Sequence, residues 1–593
     1  MNEMRLRNAK PDYTGRSAIL NIIAIIINLI AMVLIVKGFH ASTTDGAFMM
    51  KLSGFLLLGI TLFTLFILKG MFLFSFVARV LVGGLFIVSG LVKANDPWGF
   101  AFKLEEYFEP SGLAFDYPFF ESFHDYALPL SIIICVAEIV LGAAVILGGK
   151  IKLASWSLVI MMVFFSWLTW YTYSCNISQM LALDQGIEFS RQCVTDCGCF
   201  GDALRGSVGR SLTPIESFWK DLILFYLSLI IFVNQWQIKL NSVKENWIMV
   251  PASMVVIIFF SWVFGWGLPI VFAIIAFLGA FIAANLNIKA ISKEWKMAYF
   301  VLFISLLFSL YTSSYLPLKD YRPYAIGNNI SEKMKDGIDE VADFDLLYDN
   351  KITGETETFM LSDWEIYGDT TKYVYKDRVK RVMVSGTPHS IQDFLARIDY
   401  ADLTEEQKEI PFFDSLIKVD YDMYYEEKML LESIYGIDTI SAIDFDTLYY
   451  PDSVYINKGT YFDLMDPDMS FSLDVTNYLL HEKNLFLMTI RDLDLINESS
   501  MPDFKNVLIG AKENDIPFYV LCPAGSEKVK EFKEKFDFDA TFLSFDGIEV
   551  KIIVRSNPGL ALLSNGTVVN KWPSRGVEDF EDILSNYILT NNE

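Results

Sequence analysis

Histidine is scarce: the chain has four in 593 residues. His389 and His481 stand alone in polar sequence and read as surface or packing residues, and no histidine lies close to a cysteine cluster. No metal site is expected. Positive charge is also short. The formal net charge is −24, and its acidic excess falls mostly after about Leu316. Such a surface repels nucleic acid and anionic lipid, so neither is an expected partner of that region, which reads as a well-solvated domain. No small-x-small cleavage site follows the first apolar run, which therefore reads as an uncleaved anchor. No inverted repeat or pair of broken helices is apparent, which weighs against a transporter.

Long apolar runs are plentiful up to Leu316. A bilayer core needs roughly 20 apolar helical residues. About nine runs qualify, at 17–37, 52–68, 71–92, 128–147, 153–174, 218–235, 247–265, 268–286 and 297–315. Arg5, Arg7, Lys10 and Arg16 precede the first. The loops Gly148–Lys152, Gln235–Asn246 and Asn287–Lys296 are basic and nearly free of acid. The positive-inside rule then puts the N-terminus and these loops in the cytoplasm, and everything after Tyr315 outside. For a bacterial inner-membrane protein, outside is an oxidising periplasm where disulfides persist.

Six cysteines are present, and four fall between Cys175 and Cys199. Cys193, Cys197 and Cys199 lie in the string Cys193-Val-Thr-Asp-Cys-Gly-Cys-Phe-Gly-Asp202, on the outer side, just after a Trp/Tyr belt of Trp167, Trp170, Tyr171 and Tyr173. Cys197 and Cys199 flank a single glycine, so a bond between them would be strained and labile. Pairings such as Cys193 with Cys197 and Cys175 with Cys199 would be less strained and would staple the loop to the bundle. Three readings stand: a redox-active dithiol, a structural cross-link, and, least favoured, a soft metal site. Asp196 and Asp202 would raise nearby thiol pKa values, and Arg191 would lower them. Cys135 and Cys522 read as buried packing thiols.

Two charges fall inside apolar runs. Arg79 and Glu138 form a candidate intramembrane pair, read first as structural and second as a candidate cofactor or proton site. Residues 98–127 mix Lys103, Glu105 and Glu106 with Tyr107 and Phe108, as an interfacial amphipathic helix would. Thr213 or Ser211 is placed to cap a helix whose first turn holds Pro214.

These features together resemble the DoxX/MauE group of membrane proteins. The resemblance rests on Arg79 with Gly83-Gly84-Leu85-Phe86-Ile87, Ser89-Gly90-Leu91-Val92-Lys93-Ala94, Asp96-Pro97, Ala137-Glu138, Leu141-Gly142, Cys197-Gly198-Cys199-Phe200-Gly201-Asp202-Ala203 and Phe218-Trp219-Lys220-Asp221. It spans about 71–235 and implies a four-helix membrane bundle, thiol–disulfide chemistry and a quinone-class carrier. The stretch Leu316–Gly327 resembles the segment after the last helix in a Bacteroidetes-type branch of the group.

The remainder divides into an N-terminal hairpin (1–70), three further spans (236–316), an acidic, β-rich periplasmic region (317–483) and a final α/β domain (484–593). In the last, strands at Leu485–Ile490, Pro517–Cys522, Leu560–Leu563 and Val568–Lys571 alternate with helices at Met501–Glu513, Gly525–Phe536 and Val577–Ile588. This order, with Asn557-Pro558 before a strand, resembles the thioredoxin fold and its cis-proline. Where that family carries Cys-x-x-Cys, this chain has Arg491-Asp492-Leu493-Asp494-Leu495.

The expected protein is thus a polytopic α-helical membrane protein with a periplasmic α/β region. Its expected activity is thiol–disulfide exchange at Cys197 and Cys199, with Cys193 and Cys175 as a shuttle or structural pair. Electrons would pass between envelope protein thiols and a membrane carrier such as quinone. A non-catalytic envelope scaffold with structural disulfides is the alternative.

Overall fold

A computed structural model describes residues 72–184, most of 189–399 and 472–589, with scattered helical positions between Ile23 and Thr61. The chain divides into two units, Met1–Tyr321 and Arg322–Glu593.

The first unit is helical. Its elements are α1 (Phe72–Asn95), α2 (Pro97–Phe108), α3 (Ala127–Leu147), α4 (Ile151–Asp184), α5 (Ala203–Val208), α6 (Pro214–Asn234), α7 (Val243–Val263), α8 (Leu268–Asn285) and α9 (Lys293–Ser314). Among the described residues, six stretches are long and apolar enough to cross a membrane: Leu73–Asn95, Pro118–Leu147, Ile151–Ala182, Val243–Val263, Leu268–Asn285 and Lys293–Ser314. They coincide with six of the expected spans. The expected span at 218–235 is α6, which carries Glu216, Lys220 and Asp221 in its first two turns. The first two expected spans lie largely outside the described residues.

Small residues bring α1 and α3 together. A Cβ on Gly83 would sit 2.9 Å from the Gly142 carbonyl oxygen, and one on Gly142 would sit 2.7 Å from that of Gly83. Only glycine at both positions lets the two backbones approach this closely, the device by which membrane helices associate without a hydrophobic driving force. From the described residues before α1, Ala24 joins the bundle core and Asn28 accepts a hydrogen bond from the Tyr226 hydroxyl on α6.

Helix α2 is amphipathic. Pro97, Phe100, Ala101, Leu104, Tyr107 and Phe108 are buried, at helical spacing, while Lys103 and Glu106 pair beside them at 2.7 Å. Asp96 caps it by accepting from the Gly99 amide, and Pro97 occupies its first turn. Helix α6 begins as its sequence implies. Thr213 is the N-cap, forms a capping box with Glu216, and is followed by Pro214.

The three basic loops share one end of the bundle. Lys150 pairs with Glu294 at 3.1 Å and lies over the Trp295 ring, Lys152 lies over Trp236, and Gly148 abuts Lys239. Cys175 stands on α4, roughly 36 Å of helix away from Ile151.

The second unit is α/β. One sheet has three antiparallel strands in the order β2 (Thr356–Met360), β1 (Val341–Asn350), β3 (Tyr373–Val384). The other has seven, in the order β10-β9-β6-β7-β8-β4-β5. Here β4 is Arg397–Asp399, β5 Ser472–Asp474, β6 Leu485–Thr489, β7 Phe518–Cys522, β8 Thr541–Ser544, β9 Gly559–Ser564 and β10 Thr567–Pro573. Strands β6, β7 and β8 run parallel, β9 pairs antiparallel with β6, and β10 pairs antiparallel with β9. Every residue of β6 and β7 is buried, as strands covered on both faces require. Asn565 and Gly566 both have positive φ, the geometry of a tight primed hairpin turn. The Asn557–Pro558 bond is cis.

The expected helices at Met501–Glu513 and 525–536 are present, the latter as Ser526–Phe536. Strand β8 and the helix Gly547–Ile553 were not anticipated. The expected closing helix is a short α-turn, Phe580–Ile583, followed by a π-turn, Leu584–Ile588. Residues read as the start of a linker strap onto this unit: Arg322 donates to the Ile552 carbonyl at 2.8 Å, and the Gly327 and Ile330 amides donate to Val568 and Gly566. Residues 401–471 lie outside the described residues.

Candidate functional site

The cysteine region lies against α2 and the later turns of α4. Cys175 and Cys193 form a disulfide, with Cα atoms 5.7 Å apart. Of the pairings the sequence left open, this excludes Cys193 with Cys197 and Cys175 with Cys199 and agrees with the reading of Cys193 and Cys175 as a pair. The reason lies in α4, which runs on to Asp184 instead of ending at 174, so that the chain must double back before Cys193 meets Cys175. Both cysteines are buried. The return is held on either side: Asn176 donates to the Val194 carbonyl at 2.9 Å, and the Gln192 amide donates to Ser111.

Cys197 and Cys199 lie outside the described residues. Between them, Gly198 has φ +61°, and a Cβ there would sit 2.9 Å from Lys103 Cγ. The glycine therefore suits both a left-handed backbone and a close seat on α2. Arg191, expected to act on the thiols, instead pairs with Asp116 at 2.6 Å. The Tyr171 hydroxyl donates to the same carboxylate at 2.9 Å.

The expected Arg79–Glu138 pair does not form. Arg79 donates through Nε to the Val145 carbonyl and through Nη2 to the Ile146 carbonyl, each at 2.9 Å, and to Asn241 Oδ1 at 2.8 Å. A cation is thus set on the last carbonyls of α3, at the negative end of its dipole. Glu138 lies eight residues earlier, about 12 Å along the helix.

Glu138 pairs with Lys93, Nζ to Oε1 at 2.5 Å, with side chains only 5% and 4% exposed. Lys93 also lies over the rings of Phe100 and Phe165, at 5.1 and 5.0 Å. The residues after it are structural clamps. Ala94 accepts from Thr312, Asn95 bonds both backbone groups of Lys319, and Pro97 accepts from Ser131.

A second pair stands nearby on α6, where Lys220 meets Asp221 at 3.0 Å and lies over the Phe200 ring. Lys93, Glu138, Lys220, Asp221 and Phe200 line one pocket between α1, α2, α3, α4 and α6. Lys93 and Lys220-Asp221, named from sequence only within the motifs of the resemblance, are thus the site residues that sequence reasoning missed. Their signal was an excess of charge at span ends whose aromatic neighbours could cover it.

Cys135 is free and fully buried on α3. Cys522 is free and buried at the end of β7, where desolvation pushes its thiol pKa up. After β6, Arg491-Asp492 is held by Asn557, whose Oδ1 accepts from the Arg491 amide and whose Nδ2 donates to the Asp492 carbonyl. Asp494 pairs with Lys528 at 2.7 Å.

No curated protein and no solved structure matches the chain. Residues 71–176 match the family model described as Methylamine utilisation protein MauE. That stretch holds α1, α2, α3 and most of α4, including Lys93, Glu138 and Cys175. The chain is therefore a polytopic helical membrane protein with a MauE-like domain at residues 71–176.

Proposed function

We propose that this protein is a membrane-embedded thiol–disulfide redox protein of a bacterial inner membrane, with its cysteine region and second unit on the periplasmic side. The observation that carries the reading is the Cys175–Cys193 bond, which anchors the segment leading to Cys197 and Cys199 onto the MauE-like bundle. In the reaction, a thiolate of an envelope protein attacks the loop disulfide and forms a mixed disulfide. The client's second thiolate resolves it. The client becomes a disulfide, and Cys197 and Cys199 become thiols. Their two electrons and two protons then pass to a quinone-class membrane carrier, which becomes the hydroquinone, and the loop disulfide re-forms. Cys175 and Cys193 serve as the structural pair.

The strand order β7-β6-β9-β10, with β9 antiparallel to both of its neighbours β6 and β10, supports a thioredoxin-like reading of residues 484–593. This domain has Arg491-Asp492-Leu493-Asp494-Leu495 where that fold's Cys-x-x-Cys would stand, so it binds clients or partners without exchanging thiols.

Trapping thiols in intact cells tests the proposal. Cys197 and Cys199 should shift toward the reduced form when quinone is depleted, and Cys199→Ala should accumulate mixed disulfides. Cysteines that stay oxidised under every condition, with no mixed disulfides, would sink it. A scaffold in an envelope complex is then the reading left. The burial of Cys175 and Cys193 favours that alternative. It predicts that loop substitutions lower abundance and leave surviving complexes intact.

A further inference from the structure

Two carboxylates in the bundle pocket are only half used. Glu138 Oε1 is held by Lys93 and Asp221 Oδ1 by Lys220. Glu138 Oε2 and Asp221 Oδ2 are fully buried, and neither has a hydrogen-bond partner among the described residues. Both side chains are more than nine-tenths buried, and both line the same pocket. Buried acceptors of this kind call for donors. Each lysine balances its carboxylate, so the site as a whole is neutral and disfavours an anion or a cation. The walls are largely aromatic and apolar, including Phe86, Phe100, Phe164, Phe165 and Phe200. A flat, uncharged ring bearing two hydroxyl donors meets all of these demands.

We propose that this pocket binds a hydroquinone-class ring, whose hydroxyls donate to Glu138 Oε2 and Asp221 Oδ2. The assignment deepens the function proposed above and rests on it for the carrier's role, although the binding itself uses no cysteine. It also sets a preference between redox forms. The oxidised ring carries only acceptors, and it leaves both carboxylate oxygens unanswered. The reduced ring answers both. Tighter binding of the reduced form makes the bound carrier the stronger oxidant, by about 30 mV for each tenfold preference in a two-electron couple.

The test uses the full chain in lipid nanodiscs without oxygen. The probe is 2,3-dimethyl-1,4-naphthohydroquinone, compared with its oxidised form, whose substituted ring resists thiol addition; equilibrium dialysis reads the binding. Wild-type protein should bind the reduced probe at least tenfold more tightly than the oxidised one. Glu138→Gln and Asp221→Asn should each cut that preference severalfold. Equal binding of the two forms by wild-type protein overturns the assignment, and that comparison does not depend on any variant folding. Preference unchanged in both folded variants overturns it too. Binding with static thiols would support the pocket and refute the thiol reaction. Cycling thiols with no reduced-form preference would do the reverse.

Discussion

Replacing Lys93 with methionine leaves the Glu138 carboxylate buried without its counter-ion. The two groups meet at 2.5 Å and are almost wholly shielded from solvent. Breaking a buried pair by removing one partner costs about 3–5 kcal/mol. Lys93 also gives up its contacts with Phe100 and Phe165, worth up to about 2 kcal/mol where desolvated, although methionine recovers part of that by packing. The net expectation is a loss of about 3–5 kcal/mol. At roughly 2 °C per kcal/mol for a large domain, the apparent Tm should fall by roughly 6–10 °C. Replacing both partners, Lys93→Met with Glu138→Leu, removes the uncompensated charge and should recover most of the loss. The assay is thermal unfolding of the purified full chain in detergent, with all four members of the double-mutant cycle. A single variant that loses less than about 1 kcal/mol, or a double variant as unstable as the single, would refute the account of this pair as the bundle's buried charge balance.

Three other perturbations have definite expected outcomes. Removing the disulfide with Cys175→Ser and Cys193→Ser opens a closed loop spanning 18 residues, which should cost about 3 kcal/mol and show as a lower midpoint in non-reducing denaturant titration. Arg210 holds Glu216 at about 2 through a two-pronged hydrogen bond, against an ordinary value of 4.5; because the folded value is the lower one, this stabilisation is complete above pH 4.5 and fades as pH falls toward 2. Solvent exposure keeps it below about 1 kcal/mol, and Arg210→Ala should flatten that part of the stability–pH curve. Cys522 should resist maleimide in the native protein and label only on unfolding, since it is buried and its thiol pKa is raised.

What the sequence made legible depended on local rules. The helix start before Pro214 is decided within four residues, and its cap, Thr213, is one of the two residues read for it. The six membrane-length stretches among the described residues follow from run length alone. Strand β8 and its following helix were missed because four residues of Thr541–Ser544 show too little alternation to separate a strand from a loop.

The candidate site was less legible because charge pairing across helices depends on axial register, which no single helix contains. Arg79 and Glu138 look like partners in sequence, being the two charges sunk in adjacent apolar runs. Yet on antiparallel helices, a residue near the start of α1 faces the end of α3, and one near the end of α1 faces the middle and start of α3. The glycine contact fixes that register: Gly83 meets Gly142. Gly90, seven residues on, abuts the Cys135 carbonyl, seven residues back. Continuing the same count, residue 79 lands beside 146 and residue 86 beside 139. Lys93 lies a turn beyond Gly90, where its long side chain can reach back along the helix to Glu138. The Gly83–Gly142 contact therefore does more than permit close approach. It sends Arg79 to the carbonyl end of α3 and leaves Glu138 for Lys93, and so decides which charge can enter the pocket.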